Sequence, residues 1–171
     1  MADKYVEIDA TTGYLQEVEG TVESTGETEA GKIVALDATG KLDDSVMPTG
    51  IGAEIKIMTT SEDLAAGNFV NVYDDGGTIT ARKADATTSG KEASGFVLAS
   101  STSGNNATVY VNGINNQLTG LSGGPVMFLD TTAVASSATP PSSTGNVIQR
   151  VGTRLSATEI AFEPGDPVIL A

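Results

Sequence analysis

Short runs of β-branched residues, closed every eight to twelve positions by turn residues, restrict this chain to an all-β fold. Phe69-Val70-Asn71-Val72-Tyr73, Thr78-Ile79-Thr80-Ala81-Arg82, 95–100 and 108–112 are such runs. Asp74-Asp75-Gly76-Gly77 and Gly104-Asn105-Asn106 lie between them, where tight turns need glycine or asparagine. No long stretch carries a 3.6-residue apolar period, so helical architectures are excluded. The composition agrees: 22 Thr, 14 Ser and 20 Gly among 171 residues suit strands and turns. The expected architecture for 53–171 is a compact sandwich or small barrel. Within it, 53–58 reads as an opening strand, and 61–67 as one helical turn with Ser61 as N-cap and Gly67 as its end.

Two similar repeats are expected inside this domain, at about 64–113 and 119–165. In each, small or polar residues lead through Gly to an apolar strand ending at Asp74 or Asp130. A turn-rich stretch follows (78–90 and 131–145), then 95–100 against 152–157, then 107–113 against 159–165.

Residues 1–52 differ in kind. The first 50 residues hold 11 acids and 3 bases, a net of −8, whereas the remaining 121 hold 11 acids and 6 bases, a net of −5. Tyr5-Val6-Glu7-Ile8-Asp9 and 14–19 read as short strands around a turn at Thr11-Thr12-Gly13. Between Glu19 and Glu29 acids alternate with small residues, and no apolar face forms. Ile33-Val34-Ala35-Leu36-Asp37 reads as a strand, closed by the turn Asp37-Ala38-Thr39-Gly40. Pro48, Gly50 and Gly52 make a joint, which sets the domain boundary near 52. This stretch is an extended acidic arm with short strands, too poor in apolar residues to fold without surface from a partner or a second subunit. Its scattered large apolar residues, Tyr5, Val6, Ile8, Tyr14, Leu15, Ile33, Val34 and Leu36, are the candidate partner or subunit contacts.

Composition narrows the chemistry. The chain has no Cys, His or Trp. That removes disulfides, thiolate and imidazole nucleophile systems, and the usual zinc sites. A formal net charge of −13 opposes binding to nucleic-acid phosphates. The start of the chain has no apolar signal-peptide core, and no run approaches the roughly 18 apolar residues of a membrane helix. Synthesis in a reducing cytoplasm and no membrane partner are the expectation.

Four features invite sharper readings. Residues 37–44 and 74–77 could be calcium loops, but they lack the twelve-residue ligand pattern and match ordinary turn chemistry. The 22 carboxylates could hide a glycosidase pair, yet eight Tyr and Phe residues are few for a sugar groove. Asn106-Ala107-Thr108 fits a glycosylation sequon and equally a turn entering a strand. Arg150 and Arg154 fit an interface ion pair or a plain surface role. No catalytic, cofactor or metal residue emerges, and no cofactor is expected.

The segment Gly31-Lys32-Ile33-Val34-Ala35-Leu36-Asp37-Ala38-Thr39-Gly40-Lys41-Leu42-Asp43-Asp44-Ser45-Val46-Met47-Pro48 resembles one common in tailed-bacteriophage virion proteins. Residues 124–130, 139–141, 145–152 and 163–170 resemble the β-module that ends many of them. The likeness covers about 40% of the chain and extends to both head-associated and fibre proteins. It implies a non-enzymatic virion structural protein. The short chain, with no long shaft, favours a capsid decoration (cement) protein over a tail or head fibre that adsorbs to the host. Such proteins are homotrimeric β-proteins on the outer head surface that grip the major capsid protein through an extended terminal segment.

Overall fold

The computed structural model describes residues 4–24, 26–47, 54–132 and 136–171. The joint at 48–52 and the Ala53 start of the opening strand lie outside them. The chain divides into two compact units, Met1–Gly52 and Ala53–Ala171.

The amino-terminal unit is built on one hairpin. Strand β1 (Lys4–Ile8) pairs antiparallel with β2 (Leu15–Glu19), in register from Lys4 opposite Glu19 to Ile8 opposite Leu15. Asp9 organises the turn: its Oδ1 accepts from the Thr11 and Thr12 N–H groups and from the Thr12 hydroxyl. Single 3-10 turns follow at Glu27–Glu29 and Asp44–Val46. The strand expected at 33–37 does not form. Its backbone is extended, but it meets Thr21 through one isolated parallel bridge at Val34. Strand propensity supplies a shape, and a ladder also needs a neighbouring strand. Gly20 is the one buried residue of this unit among those described.

The second unit is all-β and sandwich-like. Strands β3 (Ile55–Thr59), β4 (Phe69–Asp75), β5 (Thr78–Lys83), β6 (Gly95–Val97) and β7 (Asn106–Tyr110) form one sheet in the order β3-β7-β6-β4-β5. Strands β8 (Gly113–Asn115), β9 (Val126–Leu129), β10 (Ser136–Ser137), β12 (Arg150–Arg154) and β13 (Ile160–Phe162) form another, in the order β8-β13-β12-β9-β10. A small pair joins β11 (Val147–Ile148) to β14 (Val168–Ile169). Every neighbouring pair is antiparallel. The β4–β5 hairpin closes through Gly76 and Gly77, whose φ angles of 63° and 96° are those a two-residue primed turn requires.

Counted along the chain, the two large sheets share one strand order: first, fifth, fourth, second, third. That is a likeness of topology. The residue-level repeat drawn from the sequence is not established by it, and the edge strands of the second sheet are shorter.

The sheets meet over a common core. Phe69 and Phe96 of the first pack with Met127, Leu129, Val151, Ile160 and Phe162 of the second. The rings interlock, with Phe69 stacked on Phe162 at 5.8 Å and Phe96 edge-on to Phe162 at 5.5 Å. The first sheet is buried on its other face too. Val70, Val97, Val109, Ala81 and Ala107 close around Leu64. Leu64 reaches that position because 61–67, where one helical turn was expected, forms a bend, an isolated bridge at Leu64 and a turn closed by the Asn68 N–H on the Ala65 carbonyl. The Ser61 N–H donates to the Ala81 carbonyl, and Leu64 pairs with Ser101. These tertiary bonds outweigh a local capping pattern. The Thr60–Ala81 bridge curls the sheet without closing it, so the small-barrel alternative is not realised.

Two buried amides connect the layers. Gln149 accepts from the Ala93 N–H through Oε1 (2.7 Å) and donates through Nε2 to the Ala93 carbonyl (3.0 Å). Asn115 donates to the Gly67 carbonyl at 2.9 Å.

Candidate functional site

The carboxylate candidates resolve into turn chemistry. Asp37 Oδ1 accepts from the Thr39 N–H, the Thr39 hydroxyl and the Lys41 N–H. Those bonds, the Lys41 N–H first, hold its carboxyl below the ordinary aspartate value. The Thr12 N–H does the same for Asp9, as does the Ser45 hydroxyl for Asp43. The Gly77 N–H donates to Asp74 Oδ1 at 2.6 Å, which locks the β4–β5 turn. No three acidic side chains among the described residues come together as a metal site.

An open polar cleft lies beside Asp63, Leu64, Ser101 and Asn105. Its polar groups bond to one another: Asp63 Oδ1 accepts from the Ser103 N–H, and the Ser101 hydroxyl donates to the Asn106 carbonyl. Nothing there pairs a nucleophile with a base. Arg150 forms an ion pair with Glu163 of the same chain at 2.9 Å, and Arg154 donates to the Leu121 and Gly123 carbonyls. Both arginines therefore have partners within their own unit.

The eight apolar residues singled out in the amino-terminal unit fall into two groups. Directly opposed residues of an antiparallel pair share a face, and successive residues alternate. Val6, Ile8 and Leu15 therefore lie on one face of the hairpin, with exposures of 63%, 68% and 74%. Tyr5, half-buried, lies on the other face opposite Val18. There it lines a groove of about 460 Å³ together with Ile33, Val34 and Leu36. Tyr14, exposed, sits at the entry to β2 and belongs to neither group.

Leu42 is a further exposed apolar residue of this unit, missed at the sequence level because polar neighbours hide it. On the second unit Ile114 and Val126 are exposed on the outer face of the β8–β10 sheet, one position out of phase with its core residues. Strand alternation is the signal that would have found them.

Electrostatics distinguish the first unit. Two of its three bases already have carboxylate partners: Lys4 with Glu17 at 2.7 Å and Lys32 with Glu29 at 3.9 Å. The surplus acids set a negative field around its exposed apolar residues. Family models, curated proteins and solved structures give no match to the chain.

Proposed function

We propose that this protein is a non-enzymatic structural component of a tailed-bacteriophage virion. In this reading it is a capsid decoration protein that sits on the outer head surface as a homotrimer and stabilises the shell by bridging capsomers. One observation carries the reading most: the amino-terminal unit leaves seven of its eight candidate contact residues exposed while burying a single glycine among its described residues. A surface of that kind is a docking surface. Burying a Val, Leu or Ile side chain against a partner contributes about 1.5–3 kcal/mol. The resemblance of 31–48 to virion proteins names the setting, and the acid surplus names the receiving surface, a basic patch on the major capsid protein. The second unit, with its two apolar cores, serves as the rigid body that covers the shell.

The test is to image labelled protein on intact particles and to measure co-sedimentation of the full chain with expanded capsids. Label on the head together with capsid binding supports the reading. Label at the tail supports an adsorption module instead, and a monomer that binds no capsid overturns the decoration role.

A further inference from the structure

The 33–36 segment holds an unused hydrogen-bonding edge. The Thr21 N–H donates to the Ile33 carbonyl and the Ala35 N–H donates to the Thr21 carbonyl, each at 2.9 Å. A parallel bridge of this form turns the N–H and C=O of Val34 to the opposite side, and no backbone group among the described residues meets them there. The flanking side chains are uncovered: Ile33 is 56% exposed, Val34 45% and Leu36 57%. Extended backbone, one free edge and apolar side chains alongside it are the elements of strand addition.

Charge selects the occupant. A second copy would bring another unit of 11 acids against 3 bases to the same edge, and like charge opposes it. A cationic strand meets the reverse situation. We infer that 33–36 is a strand-addition site for an extended segment of a different protein, one in which apolar and basic residues alternate. The added strand takes its hydrogen bonds from Val34, sets its apolar side chains against Val34 and Leu36, which share one face of the extended segment, and brings its cations into the field of the unit's surplus acids. This inference deepens the docking role proposed above and rests on it for the biological source of the strand.

The probe is the peptide acetyl-Val-Lys-Val-Lys-Val-Lys-Val-amide, titrated into the full chain and followed by backbone amide NMR and hydrogen exchange. Its counterpart with Glu in place of Lys is the control. At saturation the Val34 amide is expected to shift and to exchange about tenfold more slowly, because it has entered a ladder. The affinity is expected to fall several-fold from about 50 to 200 mM salt. Val34→Pro deletes the outward N–H and neither bond to Thr21, so it is expected to abolish peptide binding with the Thr21 and Ala35 amides unmoved. Leu36→Lys, which repels the cation and leaves the bridge alone, gives a second route to the same loss. An unchanged Val34 amide, equal protection by the Glu peptide, or wild-type binding by both variants overturns the inference.

Capsid co-sedimentation separates the two readings. If the wild-type chain binds capsids and Val34→Pro binds them equally, strand addition falls and the decoration role stands. If the wild-type chain binds the Lys peptide and no capsid, the edge stands and its source lies elsewhere.

Discussion

Gln149 offers the most direct test of how the second unit is held together. Both it and Ala93 are 4% exposed, and they exchange a reciprocal pair of hydrogen bonds at 2.7 and 3.0 Å. Gln149→Leu keeps the volume approximately and leaves the Ala93 N–H and C=O without partners in a site closed to water. Each such orphaned group costs about 1–3 kcal/mol. Allowing for the gain from burying a more apolar side chain, the expected loss is about 2–4 kcal/mol. At roughly 3–5 °C per kcal/mol for a unit of this size, the midpoint falls by roughly 6–20 °C.

The assay is denaturant and thermal unfolding of the full chain, with the exposed Gln117→Leu as the control. Gln149→Glu adds a pH signature. An ionised carboxylate at 149 faces the Ala93 carbonyl and is disfavoured, so its folded pKa lies above its unfolded one. Stability is then lost as pH rises through that folded value and is partly regained on acidification, when the protonated acid donates again. A loss below about 0.5 kcal/mol for Gln149→Leu, with an unchanged denaturant slope, refutes the reasoning.

Three further outcomes are expected. Gly152→Ala is expected to destabilise by about 3 kcal/mol or more in the same assay. Gly152 has φ of 152°, and a Cβ there overlaps the Ala161 carbonyl oxygen within the β12–β13 ladder. Phe162→Ala, which removes the ring shared by Phe69 and Phe96, is expected to cost about 3–5 kcal/mol by denaturant titration. In the amino-terminal unit, Asp9, Asp37 and Asp43 titrate below the ordinary aspartate value of 3.8. A depressed folded pKa gives stability that is full above the unfolded value and is lost as pH falls through the folded one. The three turns are therefore expected to loosen below about pH 4, with carboxyl NMR titration showing all three midpoints under those of an unfolded peptide.

What the sequence made legible was local chemistry. The β4–β5 hairpin could be read from Asp74-Asp75-Gly76-Gly77 because two successive positive-φ positions admit little else. The β1–β2 hairpin was legible for a similar reason, since Asp9 and Thr12 carry their own turn. The misreadings share another cause. Ile33-Val34-Ala35-Leu36-Asp37 has strand composition and no strand beside it, and 61–67 has helix punctuation overruled by Ala81 and Ser101, distant in sequence. Pairing partners are not a property of the segment being read. The contact residues were found through apolarity in an acidic stretch. Their division into a hairpin face and a groove depended on the Tyr5–Val18 register and the Thr21 bridge.

The first sheet of the second unit has apolar cores on both faces, with Phe69, Phe96 and Tyr110 toward one and Val70, Val97 and Val109 toward the other. A strand that slips by one residue in a half-solvated sheet exposes its apolar set, and water rejects the error. Here a slip keeps those residues in apolar surroundings, so hydration cannot police the register. Discrimination falls to volume: the slipped strand would drive aromatic rings into the small space around Leu64 and leave valines to fill the space of the rings. Proofreading in this sheet is steric, which makes the contrast between ring and β-branched side chain at adjacent positions the information that fixes its alignment.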